Sequence, residues 1–275
     1  MLNYEVDSSF LDKYVPCGTV LDSFRGRTYV SLVGFRFCRT KLFGSLAVPL
    51  HSDFDEVNLR FYVRRKEGDE NRRGVVFIAE IVPKQAVATM ARRVYGENYV
   101  CLPMKHNICT DGSKKTFEYQ WQVKKNKWCK LTAQAMGAPE IPREGSLEQF
   151  ITEHYWGYSN QRGGGSLEYH VSHVPWQVWL STTARFEGDP SRLHGPELGR
   201  AFKVTQALHS LLMAHRSLFS EDRKTSSETP GMVPRTGGTV NAGLPNLVQT
   251  ALTGENSGRA TRESEAPSPA IIARV

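Results

Sequence analysis

All 28 Phe, Tyr and Trp residues of this 275-residue chain lie at or before Phe219. A core needs large apolar side chains, so it must be built from that part. Of the 56 residues from Ser220 to Val275, 24 are Gly, Pro, Ser or Thr, and the isolated aliphatics among them keep no period. Such a stretch cannot bury enough apolar area to offset its ordering entropy. The expected division is a folded domain over residues 1–202, a short helix within 203–219, and a disordered tail over 220–275. With 40% hydrophobic and 23% charged residues, the composition suits one sizeable core. Apolar runs are only a few residues long and Met1 leads into polar residues, which predicts a cytoplasmic protein with neither a membrane span nor a secretory leader. Cys17, Cys38, Cys101, Cys109 and Cys129 are odd in number and none is spaced as C-x-x-C, so they read as reduced thiols. The net charge of +7 is spread along the chain and compels no nucleic-acid partner.

Strand patterns dominate the first 202 residues. Leu2–Val6 reads as a strand, followed by a short helix capped at Asp7-Ser8-Ser9 and stopped at Val15-Pro16. Thr19–Phe24 and Thr28–Phe37 flank an Arg25-Gly26 turn and suggest a hairpin. From Glu56 to Arg65, Val57, Leu59, Phe61 and Val63 alternate with Glu56, Asn58, Arg60, Tyr62 and Arg64. The run Gly74–Ile78 suits a strand buried on both faces. Pro83 and Gly96 bracket a helix over Lys84–Tyr95. Phe117–Val123 and Trp128–Ala135 form a second hairpin. Ser146 with Gln149 caps a helix carrying Leu147, Phe150, Ile151 and His154, and Leu167–His173 and Trp176–Phe186 add two strands. The predicted class is α+β, mainly antiparallel β, with about eight to ten strands curling or closing to protect their edges under two or three helices.

Several long runs resemble a known family: "YVSLVGFRF", "HSDFDEVNLRFYVRR", "RRGVVFIAEIVPKQAVATMARRVYGENY", "LPMKH", "SLEQFITEHYWGYSNQR" and "SLEYHVSHVPWQVW", closing with "LHGPELGRAF". Spread collinearly over residues 2–202, they resemble the uncharacterised bacterial YqjF-like family, which shares the acetoacetate decarboxylase-like fold. The resemblance implies a closed or cone-like β-barrel with an internal small-molecule pocket. Acetoacetate decarboxylase forms an imine on a lysine whose neighbouring cation keeps it unprotonated. The region most similar to its lysine doublet is Arg92-Arg93 here, and a guanidinium cannot form the imine. Lys84 opens the same helix without matching the motif, and Lys105 is a weaker candidate. Similar sequences also continue past "GPE" into a further strand, whereas this chain has Leu208–Phe219 with a different sequence. A shifted reading frame would explain both that divergence and the loss of aromatics, and would leave a sheet edge open.

Glu56, Asn58, Arg60 and Tyr62 form the most site-like cluster. Turned into a barrel they would present carboxylate, amide, guanidinium and phenol to one ligand; turned outward they would face water. By resemblance Glu56 is the first choice for a functional acid or base, with Lys84 the fallback nucleophile. Arg92 and Arg93 read either as a solvated helix face or as a clamp on a substrate carboxylate. His154 reads as a buried histidine on a backbone carbonyl or as a proton shuttle. His170 and His173 face opposite sides of their strand, and no HExxH, CxxC or carboxylate-histidine array suggests a metal. Gly163-Gly164-Gly165 lacks the lysine of a phosphate loop. The expected function is binding of a small carboxylate or carbonyl metabolite without Schiff-base chemistry and without a cofactor. The alternatives are a decarboxylase-like or other lyase acting on a small keto acid, and, weakest, a nucleic-acid binder resting on the pI of 9.2. Self-association into a homo-oligomer is left open.

Overall fold

The computed structural model describes residues 1–37, 41–42, 46–47, 53–161, 163–171, 175–189, 195, 199, 209–214 and 249–252. The chain begins with β1 (Leu2–Val6), two 3-10 turns (Ser8–Phe10 and Asp12–Tyr14), β2 (Val20–Leu21) and β3 (Thr28–Phe37). Two short strands, β4 (Lys41–Leu42) and β5 (Leu46–Ala47), pair only with each other and precede the long β6 (Phe54–Glu67) and β7 (Glu70–Val82). Then come α1 (Gln85–Val94), β8 (Tyr99–Cys101), β9 (Met104–Asp111), β10 (Lys114–Lys124), β11 (Lys127–Met136) and α2 (Leu147–Thr152). The remaining strands are β12 (Trp156–Asn160), β13 (Ser166–His170), β14 (Gln177–Glu187), β15 (His209–Ala214) and β16 (Gln249–Leu252).

One sheet runs in the order β16-β13-β12-β7-β6-β3-β1-β15-β14-β11-β10-β9, with β2 on β6 and β8 on β7. Its pairs are antiparallel except β7 with β12 and β7 with β8. The expected mainly antiparallel α+β class holds, but the order is open: among the described residues β9 does not pair with β16, and no sheet closes into a barrel. The sheet curls instead. Val57, Leu59, Phe61 and Val63 of β6 pack with Leu2, Tyr4, Val30 and Leu32 against Tyr119, Trp121 and Leu131 from the far arm. His106 on β9 reaches Asp55 on β6 at 2.8 Å, pinning the two arms together. Apolar side chains therefore fill the space enclosed by the curl.

The helices follow their local signals. In α2, Ser146 Oγ accepts from the Gln149 backbone N–H at 3.2 Å, while Gln149 Oε1 accepts from Gly145 N–H at 2.7 Å. Its Leu147, Phe150 and Ile151 pack on the second face of the sheet with Tyr29, Val33, Tyr62 and Val75. In α1, Gly96 just beyond the end has φ +68°, the left-handed conformation that glycine adopts without a Cβ clash.

The structure corrects several expectations. The proposed Thr19–Phe24 hairpin arm is only β2, which pairs with β6 and not with β3. Strands β8, β9 and β12 were not foreseen. His154 lies beyond α2, and the first helix is a pair of 3-10 turns. Within the stretch read as a short helix, His209–Ala214 is strand, paired with β1 and β14, so the edge expected to open there is bridged. Most of 220–275, His173 and Cys38 lie outside the described residues.

Candidate functional site

From Phe54 to Val63, β6 is covered on both faces. Opposite its apolar alternates, Glu56 is 1%, Asn58 2% and Tyr62 1% exposed, with Arg60 half-buried between them. The outward, solvated alternative for these residues is thereby excluded. Equally, they do not point into the enclosed centre of the curl, which the apolar set fills; they lie on its other face, in the layer that α2 helps cover. Burial of polar groups is costly without partners, so the neighbours decide what this face can do.

At one end three carboxylates converge. Glu80 of β7 sits opposite Asn58 in the β6–β7 register and opposite Tyr99 in the β7–β8 register. Glu97 comes from the turn between α1 and β8. Glu56 Oε1 accepts from Asn58 Nδ2 at 3.1 Å, and Oε2 accepts from the Tyr99 hydroxyl at 3.2 Å. The Tyr169 hydroxyl donates to Glu97 Oε1 at 2.5 Å. Glu80 lies within hydrogen-bond reach of both Glu97 and Tyr99. The topology makes this meeting place: the edge of β7 is shared by β12 at Gly74-Val75 and by β8 at Glu80–Val82. Gly157 of β12 lets the Tyr169 ring lie directly on the backbone, because a Cβ there would fall 2.2 Å from the ring.

Burial governs the titration of this group. Desolvation raises Glu56 to about 7 despite its hydrogen bonds and the Arg60 charge. Desolvation, with Glu56 adding repulsion, raises Glu97 to about 8. Glu80 is pushed well above the carboxylate range by burial and by both neighbours, and the Tyr99 and Tyr169 phenols are raised for the same reasons. Near neutral pH the group thus holds protons and offers O–H donors as well as acceptors.

At the other end, His154 lies tilted against Tyr62 with ring centres 4.6 Å apart and meets Phe150 edge-on at 5.4 Å. Its Nε2 lies 3.6 Å from Asp22 Oδ2, itself bound by Arg73 Nε at 2.7 Å. Desolvation lowers His154 to about 4, so it is neutral at pH 7. Tyr62 shares a hydrogen bond with Ser31 Oγ, which donates to Asn3 Oδ1 at 2.6 Å. Arg60 stands between the two ends, its guanidinium 5.9 Å from the Tyr62 ring centre and its charge felt by both Glu56 and His154. Asn58 Oδ1, Arg60 Nε and Glu80 Oε2 are buried without a hydrogen-bond partner among the described residues.

Glu56, Asn58, Arg60, Tyr62 and His154 are thus brought to one face. Arg92 and Arg93 are not: they line a separate open groove of about 530 Å³ with Thr89, Gly96, Gln161 and Gly163, and Arg92 Nε donates to Ala88 O at 3.1 Å. Lys84 is the half-buried N-cap of α1, and Lys105 lies over the Trp128 ring at 4.5 Å on the exposed β9. Among the described residues no group of three or more His, Cys, Asp or Glu is arranged to hold a metal. Sequence reasoning missed Glu80, Glu97, Tyr99 and Tyr169. Only Glu80 left a signal, as the lone charge within the apolar run Val75–Val82.

The curled, mainly antiparallel sheet is similar to the acetoacetate decarboxylase-like fold. An acetoacetate decarboxylase-like enzyme from Sphingomonas wittichii RW1 superposes with a TM-score of 0.54 at 12% identity, covering 76% of this chain and 83% of that one. The enduracididine biosynthesis enzyme MppR complexed with pyruvate gives 0.50 at 13%, covering 76% and 79%. Residues 1–198 match the profile of DUF2071, an uncharacterized conserved protein (COG2071), and the chain belongs to that family. It is also 25% identical over 177 residues to the uncharacterized protein YqjF of Bacillus subtilis strain 168, covering 63% of this chain and 69% of YqjF. No helix among the described residues is long and apolar enough to cross a membrane.

Proposed function

We propose that this protein binds a small carboxylate- or carbonyl-bearing metabolite against the Glu56–Tyr62 face, without forming an imine. The observation that carries this reading is the alignment of Asn58 Oδ1, Arg60 Nε and Glu80 Oε2, buried on one face and without hydrogen-bond partners among the described residues. Leaving such groups unpaired costs about 1–3 kcal/mol each, which a ligand carrying both acceptors and donors recovers. Arg60 forms no ion pair among the described residues and takes the carboxylate; the protonated carboxyl of Glu56 donates to the carbonyl. MppR, a neighbour in fold, is complexed with pyruvate, which is of this chemical class. Arg92 and Arg93, in their separate groove, are not part of this site.

Pyruvate and acetoacetate titrated into the full chain should raise its melting temperature, and the rise should vanish in Arg60→Leu while persisting in Arg92→Leu. No rise with any small keto or carboxylic acid ends the proposal. Borohydride with pyruvate should leave the intact mass unchanged; an adduct on Lys84 or Lys105 would restore the imine mechanism.

A second reading, turnover of a keto acid by proton transfer, is favoured by the Glu56 carboxyl, raised to about 7 and so able to exchange protons near neutrality. It predicts deuterium exchange into the methyl group of pyruvate in heavy water, followed by NMR and abolished in Glu56→Gln.

A further inference from the structure

β9 ends the order of the sheet and pairs only with β10 among the described residues. Seven of its eight residues are exposed, with Met104 alone half-buried. A terminal strand presents a row of backbone donors and acceptors that another chain can complete. Its side chains add a symmetry. Ile108 is 45% exposed, and Lys105 and Asp111 lie three residues to either side of it.

We propose that β9 is the self-association edge of this protein, two copies pairing antiparallel about a two-fold axis through Ile108. In that register Ile108 faces Ile108 of the second copy, Asn107 faces Cys109, His106 faces Thr110, and Lys105 faces Asp111. Two opposite-charge pairs form at once, because a two-fold axis generates each contact twice. Directly opposed side chains on antiparallel strands lie about 4.5–5.5 Å apart at Cβ, close enough for both the charge pairs and the isoleucine contact. The other placements serve less well. An axis through Asn107 would set Lys105 against Cys109 and His106 against Ile108, and one through Cys109 would set Asn107 against Asp111 and Ile108 against Thr110, with no charge pair in either. The chosen register also uses the sheet's own surface. Ile108 stands beside Phe117, its partner on β10, which packs on the Ala133, Ala135 and Trp179 cluster. On the opposite face, Lys105 lies over Trp128, itself 38% exposed, so an incoming Asp111 would meet the cation beside a half-open aromatic ring. No ligand at the Glu56 face is required.

The experiment is light scattering and sedimentation equilibrium of the full chain over a concentration series. The expected result is a concentration-dependent dimer. Lys105→Asp alone and Asp111→Lys alone should each weaken it roughly tenfold by placing like charges opposite one another, whereas the double swap should return the affinity to near the original. In a Cys109→Ser background, Ile108→Cys should form an inter-chain disulfide under mild oxidation, since opposed residues meet the Cα separation a disulfide needs. Unchanged near-UV circular dichroism separates lost pairing from lost folding. A monomer at every concentration, a dimer indifferent to both charge reversals, or single reversals that the double swap does not rescue would each overturn the proposal, as would occupation of the edge by the chain's own C-terminal residues.

Discussion

The two faces of β6 are buried alike but built from opposite chemistry. Val57, Leu59, Phe61 and Val63 are all 0% exposed and close the interior of the curl with apolar contacts. Glu56, Asn58 and Tyr62 are nearly as hidden, yet their burial comes with hydrogen bonds, a raised pKa at Glu56 and an unpartnered atom on Asn58. The first face stabilises the fold through area removed from water. The second reduces stability by desolvating ionisable groups, the opposite of what area burial does on the first.

The contrast can be broken most forcefully on the apolar side. Phe61→Ala should cost about 3–5 kcal/mol in urea unfolding at constant pH, since it opens a cavity between the arms of the sheet. A loss under about 1 kcal/mol would mean that the curl is not packed as described.

The polar side should announce itself through pH. Glu56 and Glu97 are raised in the folded state from the ordinary 4.5 to about 7 and about 8, so the native state binds protons more tightly than the unfolded chain. Their favourable contribution is complete below pH 4.5 and disappears as pH rises through 7 and 8. Denaturation between pH 5 and 9 should therefore show stability falling by about 3 kcal/mol or more, and Glu97→Gln should flatten much of that slope. A flat profile in the parent protein would remove the proton-holding cluster.

His154 sharpens the same comparison from the acid side. Its folded value of about 4 lies below the ordinary 6.5, so its contribution is present above 6.5 and is lost as pH falls through 4. His154→Phe should keep the ring packing on Tyr62 and reduce the acid loss by about 2–3 kcal/mol. Equal acid sensitivity in parent and variant would place the histidine in contact with water.

The smallest effect belongs to a pair outside both faces. Arg27 reaches Glu5 at 2.9 Å with side-chain exposures of 62% and 35%, and Arg27→Ala should change stability by less than about 1 kcal/mol.

The alternation from Glu56 to Arg65 located this strand and separated its two faces correctly, and Ser146 and Gly96 marked helix ends that the structure keeps. Those signals are local: strand period, caps and left-handed glycine depend on a few adjacent residues. Which face turns to the interior is different, because an alternating strand is consistent with either orientation until its partners are placed. Glu97 and Tyr169 are 72 residues apart yet share a hydrogen bond, and no spacing rule reaches that far. Likewise β9 and β15 have weak patterns and owe their strand form to the ladders that receive them.

By itself, the amino-acid sequence determined a mainly antiparallel protein of the YqjF-like family with a polar stripe on β6. Tertiary structure alone decided that the stripe would be covered, that Glu80, Glu97, Tyr99 and Tyr169 would join it, and that the sheet would curl without closing. The physical reason is that burial is a property of the assembled layers: a carboxylate changes its protonation only when strands distant in the chain exclude the water around it.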